Sequence, residues 1–372
     1  MTLQKRILLP IGVHLNTDAV HMIQLEQAEN NLAVASKASR YFTPAAGSTG
    51  GTPSKGELPA HLTNRSAEAR SEEGREFVRQ TIASDGFRGK EIVLSLPAEH
   101  LVIQHVRMAP MPSDELVMSL PVELHDKLPF DPREAVLRHI VAGSVSENNE
   151  PKQDVIALAI RRSVIETHFT AFSKLGLHVV GIGVEPCAMC YPYIFAAGRA
   201  APSPDSPTST MLVYLGSKTT HVSIVRGMET TFVKGVELGT DQLVEAIAKT
   251  HNISAEEAVK LRAAWCQSPN PETLQEAVAV YNAVRQSLGP IVDEIESCMR
   301  YHASLARGAH INRLIFLGSE ARDRALVRVL GAHLSVPCEI GDPLTEVVGS
   351  NGRKTEEPEM AVALGLGLFA AP

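Results

Sequence analysis

Short apolar runs separated by small polar turns open each half of this chain. Apolar positions at 7–13 and 19–25 flank the polar stretch HLNTD, which predicts a strand, a turn and a strand near the start of the sequence. Residues 211–225, MLVYLGSKTTHVSIV, repeat this arrangement with small residues in the turn. Turns of this kind allow backbone N–H groups to approach a phosphate closely. The pattern therefore predicts two related β-hairpins, one in each half.

The two hairpins also correspond residue by residue. When HLNTDAVHM is aligned with YLGSKTTHV, a leucine, a hydroxyl residue and a histidine recur at the same positions. The matched pairs are Leu15 with Leu215, Thr17 with Ser217, and His21 with His221. A few matches alone are weak, but two strand–turn–strand units that each open one half of a chain indicate an internal duplication.

Between the hairpins, two polar stretches of low apolar content flank a region with alternating strand and helix patterns. Residues 44–75 are rich in Gly, Ser, Thr, Pro and charge and contain few large apolar residues, so they predict a mobile loop, with a helix over about 72–84 after it. The strand DVIALAI, a helix that ends at Gly176 and a further strand then form a compact α/β unit. Residues 198–210, GRAAPSPDSPTST, are a Pro/Ser-rich linker and mark the clearest domain boundary.

Composition narrows the classes of protein that fit. At 372 residues the chain is long enough for about two domains. Its net charge of −7 and pI near 6.1 argue against a nucleic-acid-binding protein. No stretch reaches the roughly 18–20 apolar residues of a membrane span, and the N-terminal apolar run is a poor signal peptide. We therefore expect the chain to stay in the cytoplasm.

The five cysteines indicate reduced thiols. An odd count in a chain of this length is typical of a cytoplasmic protein. Cys187 and Cys190 form a single CxxC pair, whereas a zinc site needs four ligands and no second pair lies at a suitable spacing. The 14 histidines are scattered without metal-ligand spacing. The sequence therefore predicts buried apolar thiols and no metal residues.

An ordered series of segments along most of the chain resembles one protein family, and the segment at 154–186 is the most specific of them. The segments are GVHLNTDAVHMIQL, LPFDPREAVL, DVIALAIRRSVIETHFTAFSKLGLHVVGIGVEP, ELGTDQLVEAIAKTHNISAEEAVKLR, IVDEIESCMRYHASL, INRLIFLGSEA and MAVALGLGLF. In this order they resemble the actin-like ATPase superfamily and, within it, the PilM proteins of type IV pilus assembly. The cell-division protein FtsA is a more distant relative.

The resemblance implies an α/β chain with an actin-like (ribonuclease H-like) duplicated two-domain fold and an inserted small α/β subdomain. The corresponding ranges are 1–108 for the first half, 109–180 for the inserted subdomain, 181–197 for the return to the first half, 198–210 for the linker and 211–372 for the second half. Within the second half the resemblance implies a helical subdomain at about 240–290 and a last helix, at about 358–371, that closes the first half.

In this superfamily a nucleotide binds between the halves, and one hairpin turn from each half contacts its phosphates. The residues that correspond to those turns are Asn16, Thr17, Gly216, Ser217 and Lys218. Relatives carry an Asp at the start of each turn to orient Mg²⁺, but the matching positions here are His14 and Tyr214. Glu185 falls where relatives have a polar residue near the attacking water, yet a structural role fits it equally. The resemblance therefore implies a degenerate nucleotide site with no metal residue and no catalytic residue, which would bind ATP with magnesium weakly.

Two further regions extend the comparison with a nucleotide site. Relatives carry a Gly-Gly pair beneath the adenosine, where this chain has Gly318 and Ser319 followed by the negative charge of Glu320. Glu257 and Lys260 lie three residues apart on one predicted helix face, as in the ribose and adenine clamp of relatives. The alternative for this pair is a surface ion pair, and the sequence leaves both interpretations open.

The resemblance favours an interaction protein over an enzyme. PilM proteins bind the cytoplasmic tail of a single-span membrane protein, PilN. The first expectation is therefore a cytoplasmic scaffold of an inner-membrane pilus or type II secretion platform, which contacts other platform proteins and reaches the membrane only through its partner. We expect that tail to dock between segment 109–180 and the first half.

Three alternatives to the scaffold stay open. One is a working ATPase with a non-standard metal site. Another is an FtsA-like division protein, which is disfavoured because no amphipathic membrane-binding tail follows the last helix. The last is an actin-fold protein of unrelated role.

Overall fold

The structure is a computed structural model that describes residues 6–28, 31–42, 67–199, 208–268, 270–305, 310–349 and 356–369. The strands are β1 Arg6–Leu8, β2 Ile11–Leu15, β3 Ala19–Ala28, β4 Asn31–Tyr41, β5 Glu91–Leu96, β6 Val102–Met108, β7 Ala135–Glu147, β8 Glu150–Arg161, β9 His178–Val184, β10 Ser209–Leu215, β11 Thr220–Arg226, β12 Glu229–Val236, β13 Ile311–Leu317 and β14 Cys338–Ile340. The helices are α1 Ala67–Ser84, α2 Ser113–Glu123, α3 Arg162–Lys174, α4 Glu185–Ala188, α5 Tyr191–Arg199, α6 Asp241–His251, α7 Ala255–Gln267, α8 Pro271–Ala283, α9 Arg285–Leu305, α10 Arg324–Gly331, α11 Pro343–Val348 and α12 Ala361–Leu368.

The first sheet is built around β2. Strand β3 pairs with β2 in the antiparallel direction and in turn pairs with β4, while β5 and then β9 add on the other side in parallel. The short strand β1 also pairs with β3. Every residue of β2 is buried, because the sheet is covered on both faces, and this explains its continuous apolar run.

The second sheet repeats this topology. Its order is β12-β11-β10-β13-β14, with the same two antiparallel pairings followed by two parallel ones. The registers also correspond, because His14 pairs with His21 in the first hairpin and Tyr214 pairs with His221 in the second. The duplication indicated by the sequence is therefore present in the strand pairings.

A third, antiparallel sheet has the order β6-β8-β7. Helix α2 covers one face through Leu116 and Leu120. On the other face, Ile156 and Leu158 of β8 join the hydrophobic core of the second half. The sheet therefore stands between α2 and the second half.

The boundaries predicted for the inserted subdomain differ from those of this sheet. Strand β6 lies within the range 1–108 assigned to the first half, but it pairs with β8. Strand β9 begins at His178, before the predicted end at residue 180, and it pairs with β5 in the first sheet. An apolar strand shows no sign in its sequence of which sheet will accept it, which is why the pattern misplaced β6.

The predicted loop at 44–75 is wrong at its C-terminal end. Helix α1 begins at Ala67, five residues before the predicted helix start at residue 72. The extra turn is rich in Ala, Glu and Arg, which favour helix without supplying the apolar positions that a pattern search detects. Residues 44–66 of that prediction lie outside the described part of the chain.

Helix α12 makes close backbone contacts at glycine positions with β2 of the first sheet and with α4. A Cβ added at Gly12 of β2 would lie 2.0 Å from the carbonyl oxygen of Ala363, so helix and strand are in backbone contact. A Cβ at Gly365 would lie 1.8 Å from the carbonyl oxygen of Ala188. The buried cluster beside α12 draws on both halves, and its members include Val93, Leu212, Tyr214, Ile315, Leu317, Val362 and Leu366.

Candidate functional site

The β2–β3 turn of the first half and the β10–β11 turn of the second half lie against each other. Asn16 Nδ2 donates to the Tyr214 hydroxyl across 3.3 Å. Ser217 Oγ donates to the Asp18 carboxylate and lies 2.7 Å from both of its oxygens, while Ser217 N lies 3.4 Å from Asp18 Oδ2. Two residues expected to contact phosphate, Asn16 and Ser217, thus contact the opposite half.

Side-chain hydrogen bonds hold the first turn in shape. Asn16 Oδ1 accepts from the backbone N–H groups of Asp18 and Ala19, each at 2.8 Å, which is why asparagine suits this turn. Thr17 Oγ1 donates to Asp18 Oδ1 at 3.3 Å. The hydroxyl of Thr17 therefore supports Asp18 within its own turn.

Backbone N–H groups at the start of α6 hold the carbonyl side of the second turn. Gly216 N donates to Thr219 O at 3.0 Å, and a Cβ at Gly216 would lie 2.7 Å from that oxygen, so the turn requires glycine. The carbonyl oxygens of Gly216 and Ser217 accept from Thr240 N and Asp241 N, at 3.2 and 2.9 Å. With its carbonyls held on one side, the turn directs the donors of Ser217 to the other side.

A buried carboxylate lies between the two hairpins. Glu185 Oε2 lies 2.9 Å from His14 Nε2, and Glu185 Oε1 lies 2.5 Å from His221 Nδ1, with all three side chains buried. Burial raises the pKa of Glu185, but the two imidazoles outweigh it and hold that pKa at about 2. The ionised carboxylate therefore accepts a ring N–H from each half of the protein.

The two positions where relatives carry a magnesium-orienting Asp are closed to solvent. His14 is bound to Glu185, and its ring meets the Tyr214 ring edge-on at 5.8 Å between centroids. Tyr214 is 2% exposed, and burial raises the pKa of its hydroxyl well above the ordinary value. Sequence reasoning left Glu185 without a role. The one signal that pointed to this cluster was the recurrence of histidine at positions 21 and 221.

The region around Gly318 is also in contact with the first half. Gly318 has a φ of 90°, and its N–H donates to Pro358 O at 3.1 Å. Ser319 Oγ lies 3.5 Å from His21 Nε2. Burial, and then the nearby His14, lowers the pKa of His21 well below its ordinary value, so a neutral ring meets Ser319. Ser319 thus contacts the first half, whereas the bond of Gly318 stays within the second half.

Glu320 is held inside the second half by a buried cation. Arg262 Nη2 lies 2.6 Å from Glu320 Oε2, and Arg262 Nε donates to Asp323 Oδ2 at 3.1 Å. Thr240 Oγ1 also donates to Glu320 Oε2, at 2.8 Å. Tyr281 adds its hydroxyl to Asp323. The guanidinium of Arg262 is thereby committed to carboxylates of the protein itself.

Glu257 and Lys260 make local contacts on α7. Glu257 forms a capping box with Ser254, whose N and Oγ donate to Glu257 Oε2 at 2.9 and 2.8 Å. Lys260 Nζ pairs with Glu256 Oε1 one turn earlier, at 2.5 Å. Both side chains are exposed, and neither is the other's hydrogen-bond partner. These contacts favour the surface interpretation over a ribose and adenine clamp.

The donor set around the turns does not fit magnesium ATP. Three carboxylates, Asp18, Asp241 and Glu320, lie near the turns. Desolvation, and then the charges of Asp18 and Glu320, raise the pKa of Asp241 to about 6. Among the described residues, the cations that act on Asp241 are Arg262, which is already paired, and Lys218, which is exposed on the turn. In the described part of the chain, no group of three or more His, Cys, Asp or Glu side chains could hold a metal ion. A triphosphate would meet negative charge and filled donors here.

A second feature is an open groove of about 910 Å³ between α1 and α3. It carries four carboxylates against two cations, and these charged residues are Glu72, Glu73, Glu76, Glu166, Arg75 and Lys174. Among the described residues, Glu72 and Glu166 have no ion-pair partner, whereas Glu73 pairs with Arg40. The groove is therefore acidic and runs between the first half and the helix that follows β8.

Comparison with known proteins decides the family. A family model described as type IV pilus assembly protein PilM matches residues 58–370. The chain belongs to the PilM family. A chain of a solved PilM–PilN type IV pilus biogenesis complex has a TM-score of 0.70 and 20% identity, with 98% of each chain covered. The actin-like α/β fold implied by the sequence is thus confirmed.

A more remote likeness lies outside this family. The ethanolamine utilization protein EutJ from Carboxydothermus hydrogenoformans has a TM-score of 0.47 and 12% identity, with 98% of this chain and 90% of that chain covered.

Cys190 and Cys298 are buried as expected for thiols, whereas Cys187, Cys266 and Cys338 are half-buried. All five cysteines are free, and burial raises the pKa of Cys187 and of Cys190 to about 12, so neither is a reactive thiolate at neutral pH. None of the helices in the described ranges has the length and apolar character that a membrane crossing requires.

Proposed function

We propose that this chain is a cytoplasmic scaffold in the inner-membrane platform of a type IV pilus and that it binds the cytoplasmic tail of a PilN-type single-span membrane protein. Membership of the PilM family carries the proposal. The likeness to a chain of a PilM–PilN complex supports it, because both chains are covered almost completely. In this proposal the protein reaches the inner face of the membrane through its partner.

The acidic groove between α1 and α3 is the proposed docking site for that tail. Cytoplasmic segments next to a membrane span carry an excess of Lys and Arg, so a tail of this kind is basic. Glu72 on α1 and Glu166 on α3 offer carboxylates that form no ion pair with a described residue. A groove between the first half and the inserted subdomain also agrees with the docking position expected from the sequence.

We further propose that the nucleotide site is degenerate and that the protein is not an ATPase. Phosphoryl transfer relies on metal ions and positioned charge. His14 and Tyr214 are buried and bound where acids would be needed, and the donors of Ser217 face Asp18. The contacts of these side chains are those of a closed interface between the two halves.

Charge reversal in the groove tests the partner site. With the cytoplasmic tail peptide of the PilN-type protein from the same genome, Glu72→Lys/Glu166→Lys should weaken binding at least tenfold in a calorimetric titration. The matched control is Glu245→Lys, an exposed carboxylate on α6 in the second half, which should leave affinity unchanged. Wild-type affinity should fall as salt rises. Equal affinity of the double variant and wild type would place the tail elsewhere.

Nucleotide titration tests the degenerate site. The wild-type chain should show neither micromolar binding of a non-hydrolysable ATP analogue with Mg²⁺ nor phosphate release above background. The reason is the acidic, occupied interface between the turns. Micromolar binding together with turnover would instead support a working ATPase with a non-standard metal site.

A further inference from the structure

The β10–β11 turn has the form of an anion-binding turn, and its donors already have a partner. Its carbonyl oxygens are held from behind by Thr240 N and Asp241 N. Gly239 permits this approach, since a Cβ there would lie 2.1 Å from Ser217 O. The N–H and hydroxyl of Ser217 are left pointing away from that contact, towards the first half. This is a preorganised pair of donors on a rigid turn.

The partner of those donors is a carboxylate from the other half of the chain. Both oxygens of Asp18 lie 2.7 Å from Ser217 Oγ, and Oδ2 is also 3.4 Å from Ser217 N. Asn16 holds the backbone of Asp18 in place, and Thr17 donates to the same carboxylate. Hydrogen bonds within its own turn therefore fix the position of Asp18, just as the N–H groups at the start of α6 fix the position of the Ser217 donors.

We propose that Asp18 is a tethered anion, which occupies the donors of the second-half turn in place of a phosphate and so keeps the two halves closed without nucleotide. The proposal deepens the degenerate site proposed above by naming what fills it. Because Asp18 is part of the chain, its effective concentration at the turn is on the order of millimolar or higher. A free anion must displace it and must also enter beside Glu320 and Asp241.

The environment of Asp18 makes its ionised form dependent on Ser217. The pKa of Asp18 is raised above its ordinary value, mainly by burial and also by the charge of Glu320, while the side-chain bond from Ser217 opposes that rise. A carboxylate in such a place is stabilised in its ionised form mainly by the donors of Ser217. Removing the carboxylate should therefore free those donors and remove one negative charge from the cleft at the same time.

The test is a gain of anion binding. Inorganic pyrophosphate serves as the probe in calorimetric titrations of the full chain, with wild type and Asp18→Ala compared. Asp18→Ala should bind pyrophosphate with a dissociation constant at least tenfold lower than wild type. Asp18→Ala/Ser217→Ala should lose that gain, because the hydroxyl donor is absent. The matched control Asp85→Ala removes an exposed carboxylate remote in sequence from the turn and should behave as wild type.

A second variant covers the case in which alanine prevents folding. Asp18→Asn keeps the shape of the side chain and removes its charge. Its amide oxygen can still accept from Ser217, so it should bind pyrophosphate more tightly than wild type but less tightly than Asp18→Ala. The proposal would be overturned if neither Asp18→Ala nor Asp18→Asn, once shown to be folded, gained pyrophosphate affinity. Tight pyrophosphate binding by wild type would also overturn it. The nucleotide titration of wild type separates this proposal from the degenerate site on which it rests. Weak binding of the magnesium ATP analogue by wild type, with no pyrophosphate gain in the folded variants, would contradict only the tethered anion.

Discussion

At the scale of single residues, the interface between the halves depends on a carboxylate that accepts from both of them. Glu185 begins α4, directly after β9 of the first sheet, and meets one histidine from each hairpin. Removing one partner from such a buried group leaves the other unsatisfied, which typically costs about 1–3 kcal/mol, and more when a charge is involved. The cluster is therefore a sensitive point in the stability of the molecule.

Glu185→Gln should lower stability, and the loss should depend on pH. The pKa of Glu185 is about 2 in the folded protein against an ordinary value of 4.5. Its contribution is thus fully present above pH 4.5 and is lost as the pH falls through 2. Linkage puts that contribution on the order of 3 kcal/mol. Urea unfolding at pH 7 and at several values between 4.5 and 3 should show the gap to wild type narrowing as the pH falls. Glu245→Gln is the exposed control, and a gap that stays constant with pH would contradict this assignment.

At the scale of elements, close backbone contacts of α12 explain two glycines in otherwise ordinary segments, Gly12 where α12 meets β2 and Gly365 where α12 meets α4. Gly12 lies in a fully buried strand, and Gly365 lies in an apolar helix that is buried on all sides. Glycine costs stability in both settings relative to alanine, unless close approach of two backbones requires it. The Cβ distances show that requirement at each position.

Gly12→Ala should be strongly destabilising. The new Cβ would lie 2.0 Å from Ala363 O and 2.6 Å from Gly367 N, so α12 must move away from the sheet. Overpacking of this kind lowers the free energy of unfolding by roughly 1–3 kcal/mol or more. Urea unfolding should show the loss as a lower midpoint. Gly289→Ala is the matched control, since no atom lies within 4 Å of a Cβ there and α9 is helical. That variant should stay within about 1 kcal/mol of wild type. Equal losses in both would show that α12 packs more loosely than described.

Local sequence patterns predicted the two hairpins and their duplication, but they did not predict the contacts between the two halves. The two hairpins and their duplication followed from apolar runs and from matching positions such as His21 and His221. The partnership of Asp18 with Ser217 spans 199 residues and depends on how far the two sheets close, which no local pattern encodes. Asp18 was accordingly absent from the predicted site, whereas Asn16 and Ser217 were included with phosphate as the expected partner.

At the scale of the whole molecule, residues from different sheets pack together in common buried clusters, so the sheets are held together by side-chain contacts as well as by the connecting chain. Tyr214 of the second half packs in one cluster with Val93 of the first half and with α12. Ile156 of the inserted sheet is buried in the core of the second half, and His105 Nε2 lies 3.0 Å from Val233 O across the same contact. Separate opening of either half would expose these surfaces.

We therefore expect the molecule to unfold as one unit, although chains of this length often unfold in steps. Differential scanning calorimetry of wild type should give a single transition, with calorimetric and van't Hoff enthalpies nearly equal. Tyr214→Ala removes a ring shared between the halves, so it should lower the melting temperature and also broaden or split the transition. Phe172→Ala is the control, because it removes an equally buried ring from a core that belongs to the first half and α3 alone. It should lower the melting temperature without splitting the transition. Two resolved transitions in wild type would mean that the halves unfold independently and that the shared cluster does not couple them.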